Sequence, residues 1–260
     1  MSLTDEGHYG PKQLNLLKTV WGEGFLSPGG TDEIDAVLNG VDVSGKSILD
    51  IGCGCGGAAI HFIKNHNSKS VLGIDTELLV IKRAQELALK NEVNKFVEFR
   101  CVKPGPLDIP NESVDLVFSK EVFLHIHNKD YLIKDIYRVL KPGGLVAASD
   151  WMRIDDHPPS LQMKEYIKAE GLDMYMCSLN HYEKLLKNAG FFNITIKDRN
   201  AWYLSKAKKE VLAIEGPLNK QVIDAIGPEE TAGAIDIWKK LIGVLEIGEH
   251  RPGHFRAFKK

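Results

Sequence analysis

Residues Ser47 to Phe62 read SILDIGCGCGGAAIHF. The apolar Ile48, Leu49 and Ile51 surround Asp50, and the chain then breaks into four glycines within six positions: Gly52, Gly54, Gly56 and Gly57. Glycine permits tight turns and lets a backbone approach a ligand closely. The stretch therefore reads as a buried strand, a nucleotide-holding turn and the start of a helix.

Working outward, short apolar runs alternate with helical patterns. SVLGID, KFVEFRCV, VDLVFS and GLVAASDW read as further strands, whereas AAIHFIKNH, ELLVIKRAQELALKN and KDYLIKDIYRVL read as helices. Such alternation predicts a mostly parallel sheet with helices on both faces, an α/β fold of the Rossmann-like class that binds ligands at the carboxyl ends of its strands. Upstream, PKQLNLLKTVWG has Leu14, Leu17 and Trp21 at helical spacing behind a proline, and Thr31 with Asp32 and Glu33 opens a helix to about Leu38. After Asp150 the alternation stops: an inserted helical segment, a helix before Gly190, the strand FNITIKDRN, two long helical patterns at 203–224 and 229–246, and a last strand HFRAFKK. We divide the chain into an amino-terminal helical cap (1–40), a cofactor-binding core (41–151), and a helical lid insertion with completion of the sheet (152–260), all within one domain.

The 260 residues carry 33 Lys plus Arg against 35 Asp plus Glu, so no net charge draws the chain toward nucleic acid or an anionic membrane; a small molecule is the expected partner. Cys53, Cys55, Cys101 and Cys177 lack paired CxxC spacing and read as reduced residues of a cytoplasmic protein, with no metal site expected. Neither a signal peptide nor a membrane-spanning run is read, and Met1–Leu3 reads as a cloning remnant.

Glycines alone leave two cofactors open, a dinucleotide and S-adenosylmethionine. Asp50, two residues before Gly52, would meet a dinucleotide's pyrophosphate as a like charge, whereas the ammonium and sulfonium of S-adenosylmethionine suit a carboxylate. Asp75, ending the second strand, lies where an acidic residue takes ribose hydroxyls, which fits adenosine in either cofactor.

LDIGCGCGG, GID, VDLVFS and LKPGGLVAASD together resemble, in order and spacing, the motifs of class I S-adenosylmethionine-dependent methyltransferases over about residues 46–151. The resemblance implies a seven-stranded sheet whose last strand is antiparallel. It places Gly52, Gly54 and Gly56 against the cofactor, with Asp50 at its methionine end and Asp75 and Thr76 at the ribose. Val102 and Lys103 then fall beside the adenine.

More narrowly, GHYGPKQLNLLKTVWGEGFLSPGG, SKEVFLHI and RPGHFRAFKK resemble segments of the phosphoethanolamine N-methyltransferases. That similarity implies Tyr9 and His125 as a catalytic pair, Ser27 and Gly29 in a turn at the methionine end, and Glu121 as an acidic cofactor contact. It also exposes departures. The family's phosphate-gripping arginine, tyrosines and lysine align with Glu170, Leu172, Trp151 and Leu241, leaving Tyr166 as the retained tyrosine, and its adenine-binding aspartate aligns with Lys103, with Asp108 or a backbone carbonyl as the alternative acceptor. A glutamate repels phosphate and replaces a bidentate clamp.

The expectation is an S-adenosylmethionine-dependent N-methyltransferase, releasing S-adenosylhomocysteine, for a small polar amine of glycine, sarcosine or dimethylglycine type. Trp151, Tyr166 and Trp202 or Tyr203 would face the methylated ammonium, and Arg251, Arg153 or His254 would meet an acceptor carboxylate. The rivals are a phosphobase N-methyltransferase, a C- or O-methyltransferase of a sterol- or quinone-like acceptor, and a non-catalytic S-adenosylmethionine-binding module.

Overall fold

Seven strands form one sheet in the order β3-β2-β1-β4-β5-β7-β6. The computed structural model describes residues 9–260; the reading of Met1–Leu3, and the first eight residues of the expected cap, lie outside the described residues. Helices α1 (Pro11–Trp21) and α2 (Gly30–Leu38) precede β1 (Ser47–Ile51), α3 (Gly57–His66), β2 (Ser70–Asp75), α4 (Leu78–Lys90), β3 (Val97–Cys101), β4 (Val114–Lys120), α5 (Lys129–Val139) and β5 (Leu140–Asp150). There follow α6 (Leu161–Glu170), α7 (Leu179–Asn188), β6 (Phe192–Asp198), α8 (Asn200–Glu215), α9 (Asn219–Ile226), α10 (Pro228–Glu246) and β7 (Gly253–Phe258). β1 pairs in parallel with β2 and β4, and β7 runs antiparallel to both β5 and β6. The chain thus has the seven-stranded, Rossmann-like class I methyltransferase fold.

Strand residues alternate between the two faces of a sheet. Ile48, Leu116, Phe118 and Ala147 accordingly pack with Ile34 and Val37 of α2, Phe62 of α3 and Ala84 of α4. Leu49, Val117 and Val146 pack on the other side with Ile133 and Ile136 of α5 and with Tyr182 and Leu186 of α7. A third core forms among helices alone: Leu16 and Leu17 of α1 with Met163 and Tyr166 of α6, Val211 of α8, Val222 of α9 and Trp238 and Val244 of α10. The pattern at 203–224 is split into α8 and α9, because Gly216 and Pro217 fall inside it and proline cannot continue a helix interior. α2 starts at Gly30 behind a left-handed Gly29 (φ 95°), one residue before the expected Thr31 cap. Among the described residues, no helix is long and apolar enough to cross a membrane.

Candidate active site

The carboxyl ends of β1, β2 and β4, the turns that follow them, and α1, α8 and α10 enclose a cavity of about 990 Å³. Gly52 and Gly54, both at positive φ (70° and 53°), line it. A Cβ on Gly52 would stand 2.1 Å from Val122 Cγ2, and one on Gly54 3.1 Å from Leu26 Cδ1, so the glycines keep this wall thin. The turn is tied down where the Gly52 and Cys53 amides donate to the Ile74 carbonyl, at 2.8 and 3.0 Å.

Three carboxyl groups face this end, and burial raises the pKa of each. Asp50 is 1% exposed; burial, with Asp75 nearby, pushes its pKa up to about 8, and Oδ2 has no partner among the described residues. Asp75 accepts from the Gly54 and Glu77 amides at 3.1 and 3.0 Å, yet burial still raises its pKa. Glu121, held at φ 60° just past β4, accepts from the Tyr203 hydroxyl and, at 3.4 Å, from Ser149 Oγ. Burial pushes it up to about 7 against the opposing pull of Lys120, and Oε2 has no partner among the described residues. The exposed Asp108 also lines the cavity, as do Lys103 and Val102. Two buried, unpartnered carboxylate oxygens next to a backbone cradle fit a ligand that brings cationic donors, which is the chemistry of S-adenosylmethionine's sulfonium and ammonium.

Ser27 also lines the cavity, and its hydroxyl accepts from Lys120 Nζ, which donates a second bond to the Pro28 carbonyl at 2.9 Å. This half-buried lysine pins the turn before α2 to the end of β4.

At the other end stand Tyr9, Gln13, Leu17, Trp21, His125, Trp151, Glu170, Leu172, Glu210, Trp238 and Leu241. His125 Nδ1 lies 2.8 Å from the Asp173 carbonyl. A carbonyl only accepts, so Nδ1 carries the proton and Nε2 of the neutral ring is its basic nitrogen. The Tyr9 phenol is held well above its ordinary range by burial and by Asp75, Glu170 and Glu121, so it remains a hydroxyl. Burial pushes Glu170 up to about 7 although the Tyr166 hydroxyl beside it favours the charge. Glu210 accepts indole N–H bonds from Trp21 (2.9 Å) and Trp238 (3.0 Å), and burial raises its pKa nonetheless. Gln13 Oε1 is buried with no partner among the described residues.

The cavity thus gathers Tyr9, Ser27, Asp50, Gly52, Gly54, Asp75, Thr76, Val102, Lys103, Glu121, His125 and Trp151. Seven expected contacts stand elsewhere. Gly56 packs back toward Phe99 and Ala84, and Gly29 toward Glu33 and Trp202. Tyr166 is fully buried behind the wall against Trp151 and His250. Trp202 lies under the Arg199 guanidinium at 4.4 Å. Arg251 is drawn to Asp198 at 2.8 Å and to the Gly248 carbonyl, which corrects its assignment to the acceptor. Arg153 pairs with Glu249 at 3.2 Å and His254 with Glu33 at 2.6 Å, so neither offers a cation to the cavity. Sequence reasoning missed Lys120, Gln13 and Glu210. Lys120 alone carried a signal, a charge closing an apolar strand.

Residues 49–148 match the model of a methyltransferase domain family. A Triticum aestivum phosphoethanolamine N-methyltransferase is 30% identical over 241 residues, 92% of this chain and 46% of that protein, so the chain spans about half the length of this relative. The Plasmodium falciparum phosphoethanolamine N-methyltransferase is 26% identical over 98% of this chain and 92% of its own. Among solved structures, Haemonchus contortus phosphoethanolamine N-methyltransferase 2, in complex with phosphomonomethylethanolamine and S-adenosylhomocysteine, superposes with a TM-score of 0.89 at 26% identity, covering 98% of this chain and 59% of that one.

Proposed function

We propose that this chain, a class I methyltransferase by fold that resembles the phosphoethanolamine N-methyltransferases, uses S-adenosylmethionine to methylate the nitrogen of a small amine whose remaining body is neutral or cationic. When bound, S-adenosylmethionine supplies a methyl group activated by its sulfonium. Ser27, Asp50, Gly52, Gly54 and Glu121 would hold its methionine end, Asp75 and Thr76 its ribose, and Val102, Lys103 and Asp108 its adenine.

The chain's own residues do the rest. An ammonium has no lone pair, so the acceptor must lose a proton before its nitrogen can attack. His125 Nε2 takes that proton, directly or through the Tyr9 hydroxyl, while Nδ1 stays fixed on Asp173. Gln13 Oε1 and Glu170 line the same end and accept N–H bonds that orient the amine. The apolar wall of Leu17, Leu172, Ile237 and Leu241 excludes water, so alignment rather than covalent help lowers the barrier.

One observation carries the acceptor class: the acceptor end presents Glu170 and Glu210 among Trp21, Trp151 and Trp238, and the nearby Lys120 is already bound to Ser27 and Pro28. Carboxylates and indole faces attract an ammonium and repel phosphate or carboxylate. A phosphobase acceptor is the second reading, supported by the likeness to the Haemonchus contortus enzyme over nearly the whole chain. Release of S-adenosylhomocysteine is to be measured with ethanolamine-type and larger neutral-bodied amines, diamines, glycine, sarcosine and phosphoethanolamine. The highest kcat/KM is expected among amines without an anionic group. Preference for phosphoethanolamine would replace our acceptor with the second reading, and no turnover of any amine would sink both.

A further inference from the structure

Away from the cavity, where α2 packs on α3, three ligand atoms converge. His61 Nε2 and His66 Nε2 lie 2.7 and 2.8 Å from Asp35 Oδ1, and 3.3 Å from each other. Hydrogen bonding alone requires both imidazoles to direct Nε2–H at one oxygen, with the two N–H groups side by side. A cation removes that conflict, since all three atoms can then offer lone pairs. For metal–ligand bonds of about 2.05 Å, neighbouring ligand atoms stand about 2.9 Å apart at right angles and about 3.4 Å apart at the tetrahedral angle. The observed 2.7, 2.8 and 3.3 Å lie close to one face of such a polyhedron, the two shorter separations falling just below the right-angle value.

We propose that Asp35, His61 and His66 form a binding site for a first-row divalent transition metal of the zinc, cobalt or nickel kind. Two imidazoles select against calcium and magnesium, which take oxygen ligands. Asp35 is 51% exposed and the His66 side chain 25%, so solvent reaches the cluster to enter it and to fill the remaining coordination positions, whereas His61 is 6% exposed and anchors it. His61 Nδ1 has no outer partner among the described residues. Such partners ordinarily strengthen a metal site about 10–100-fold, so this one belongs to the weaker class.

The metal acts as a staple. α2 begins directly behind the Ser27–Gly30 turn, and α3 directly behind the glycine turn that ends at Gly57. Joining the two helices fixes both turns of the cavity's cofactor end without touching the reacting atoms.

The test uses the whole chain, stripped with chelator and dialysed, then titrated with cobalt. One equivalent is expected to bind, with d–d absorption but no thiolate-to-cobalt charge transfer, and the melting temperature is expected to rise roughly 5–10 °C at about 100-fold excess over Kd. Asp35→Asn and His66→Ala, both at solvent-accessible positions, should each weaken binding at least tenfold. Three results would overturn the proposal: undiminished binding in the Asp35→Asn/His66→Ala double variant, a thiolate band, or no binding by the unmutated chain at millimolar cobalt. The two variants suffice if His61→Ala does not fold. None of these readouts depends on methyl transfer.

Discussion

Asp50, next to last in β1, has one carboxylate oxygen buried and unanswered among the described residues, and a pKa pushed up to about 8 records how little the surroundings favour its charge. A cationic cofactor reverses that balance, because its ammonium or sulfonium interacts with the ionised form alone. Cofactor affinity measured by calorimetry is therefore expected to rise with pH up to about 8 and then level off. Asp50→Asn should flatten the profile and lower the plateau about tenfold or more; a profile unchanged in the variant would remove Asp50 from the cofactor site. For His125 the expected outcome is a loss in kcat of about 10²–10⁴-fold in His125→Ala, with cofactor affinity unchanged, as for other general bases. At this scale the sequence displayed what local chemistry dictates: glycines where a turn must be thin, and acids at strand ends. It showed Lys120 only as a charge closing an apolar strand and hid Glu210 and the grouping of Asp35 with His61 and His66, because each acquires its role from a partner distant in sequence. Lys120 meets Ser27 across 93 positions and Glu210 meets Trp21 across 189. Arg251 failed as an acceptor residue for the same reason, since Asp198 claims it.

Among the elements, α1 is the one on which the proposed acceptor end depends most. It follows Tyr9 directly, carries Gln13, Leu17 and Trp21 on the cavity wall, and rests on the helical core through Leu16, which is 0% exposed. Pro11 at its first turn and apolar residues at helical spacing made this helix legible. Its docking site was not, because that site is built from α6 and α8–α10, whose order in space no local pattern encodes. Leu16→Ala removes a buried side chain from this junction and should cost about 2–5 kcal/mol of stability. If α1 positions the acceptor, the folded fraction of the variant should also show a raised KM for the amine, with cofactor affinity near that of the unmutated chain. A denaturation midpoint that shifts while both binding constants stay constant would make α1 a structural element only.

Across the whole molecule, the cavity concentrates acids that folding makes reluctant to ionise: Asp50 at about 8, and Glu121 and Glu170 at about 7, with Asp150, bonded to Tyr182 below the sheet's end, also at about 7. Each folded-state pKa lies above the ordinary carboxyl range, so the native chain holds more protons than the unfolded one between about pH 4 and 8, and stability must fall as pH rises through that window. Other groups work in the opposite sense: burial lowers Lys120 and Lys129, which oppose the acids as pH rises toward the ordinary lysine range, and the remaining groups act outside the upper half of the window. The paired Glu33 and Asp35, lowered against burial by their histidine and arginine partners, contribute stability that is lost only as pH drops below the ordinary carboxyl range. His250, buried without a partner among the described residues and pushed down to about 3, and His254, lowered chiefly by burial, contribute stability that is lost as pH falls below about 6.5. From pH 6.5 to 8 the four raised carboxyls therefore outnumber the two opposing lysines. The melting temperature of the cofactor-free chain should decrease over that range, and saturating S-adenosylmethionine should reduce the slope by supplying the cation that ionised Asp50 lacks. A melting temperature that stays constant or rises from pH 6.5 to 8 would show that the cavity acids do not set the protein's pH response, and an undiminished slope with cofactor bound would show that Asp50 does not meet its charge.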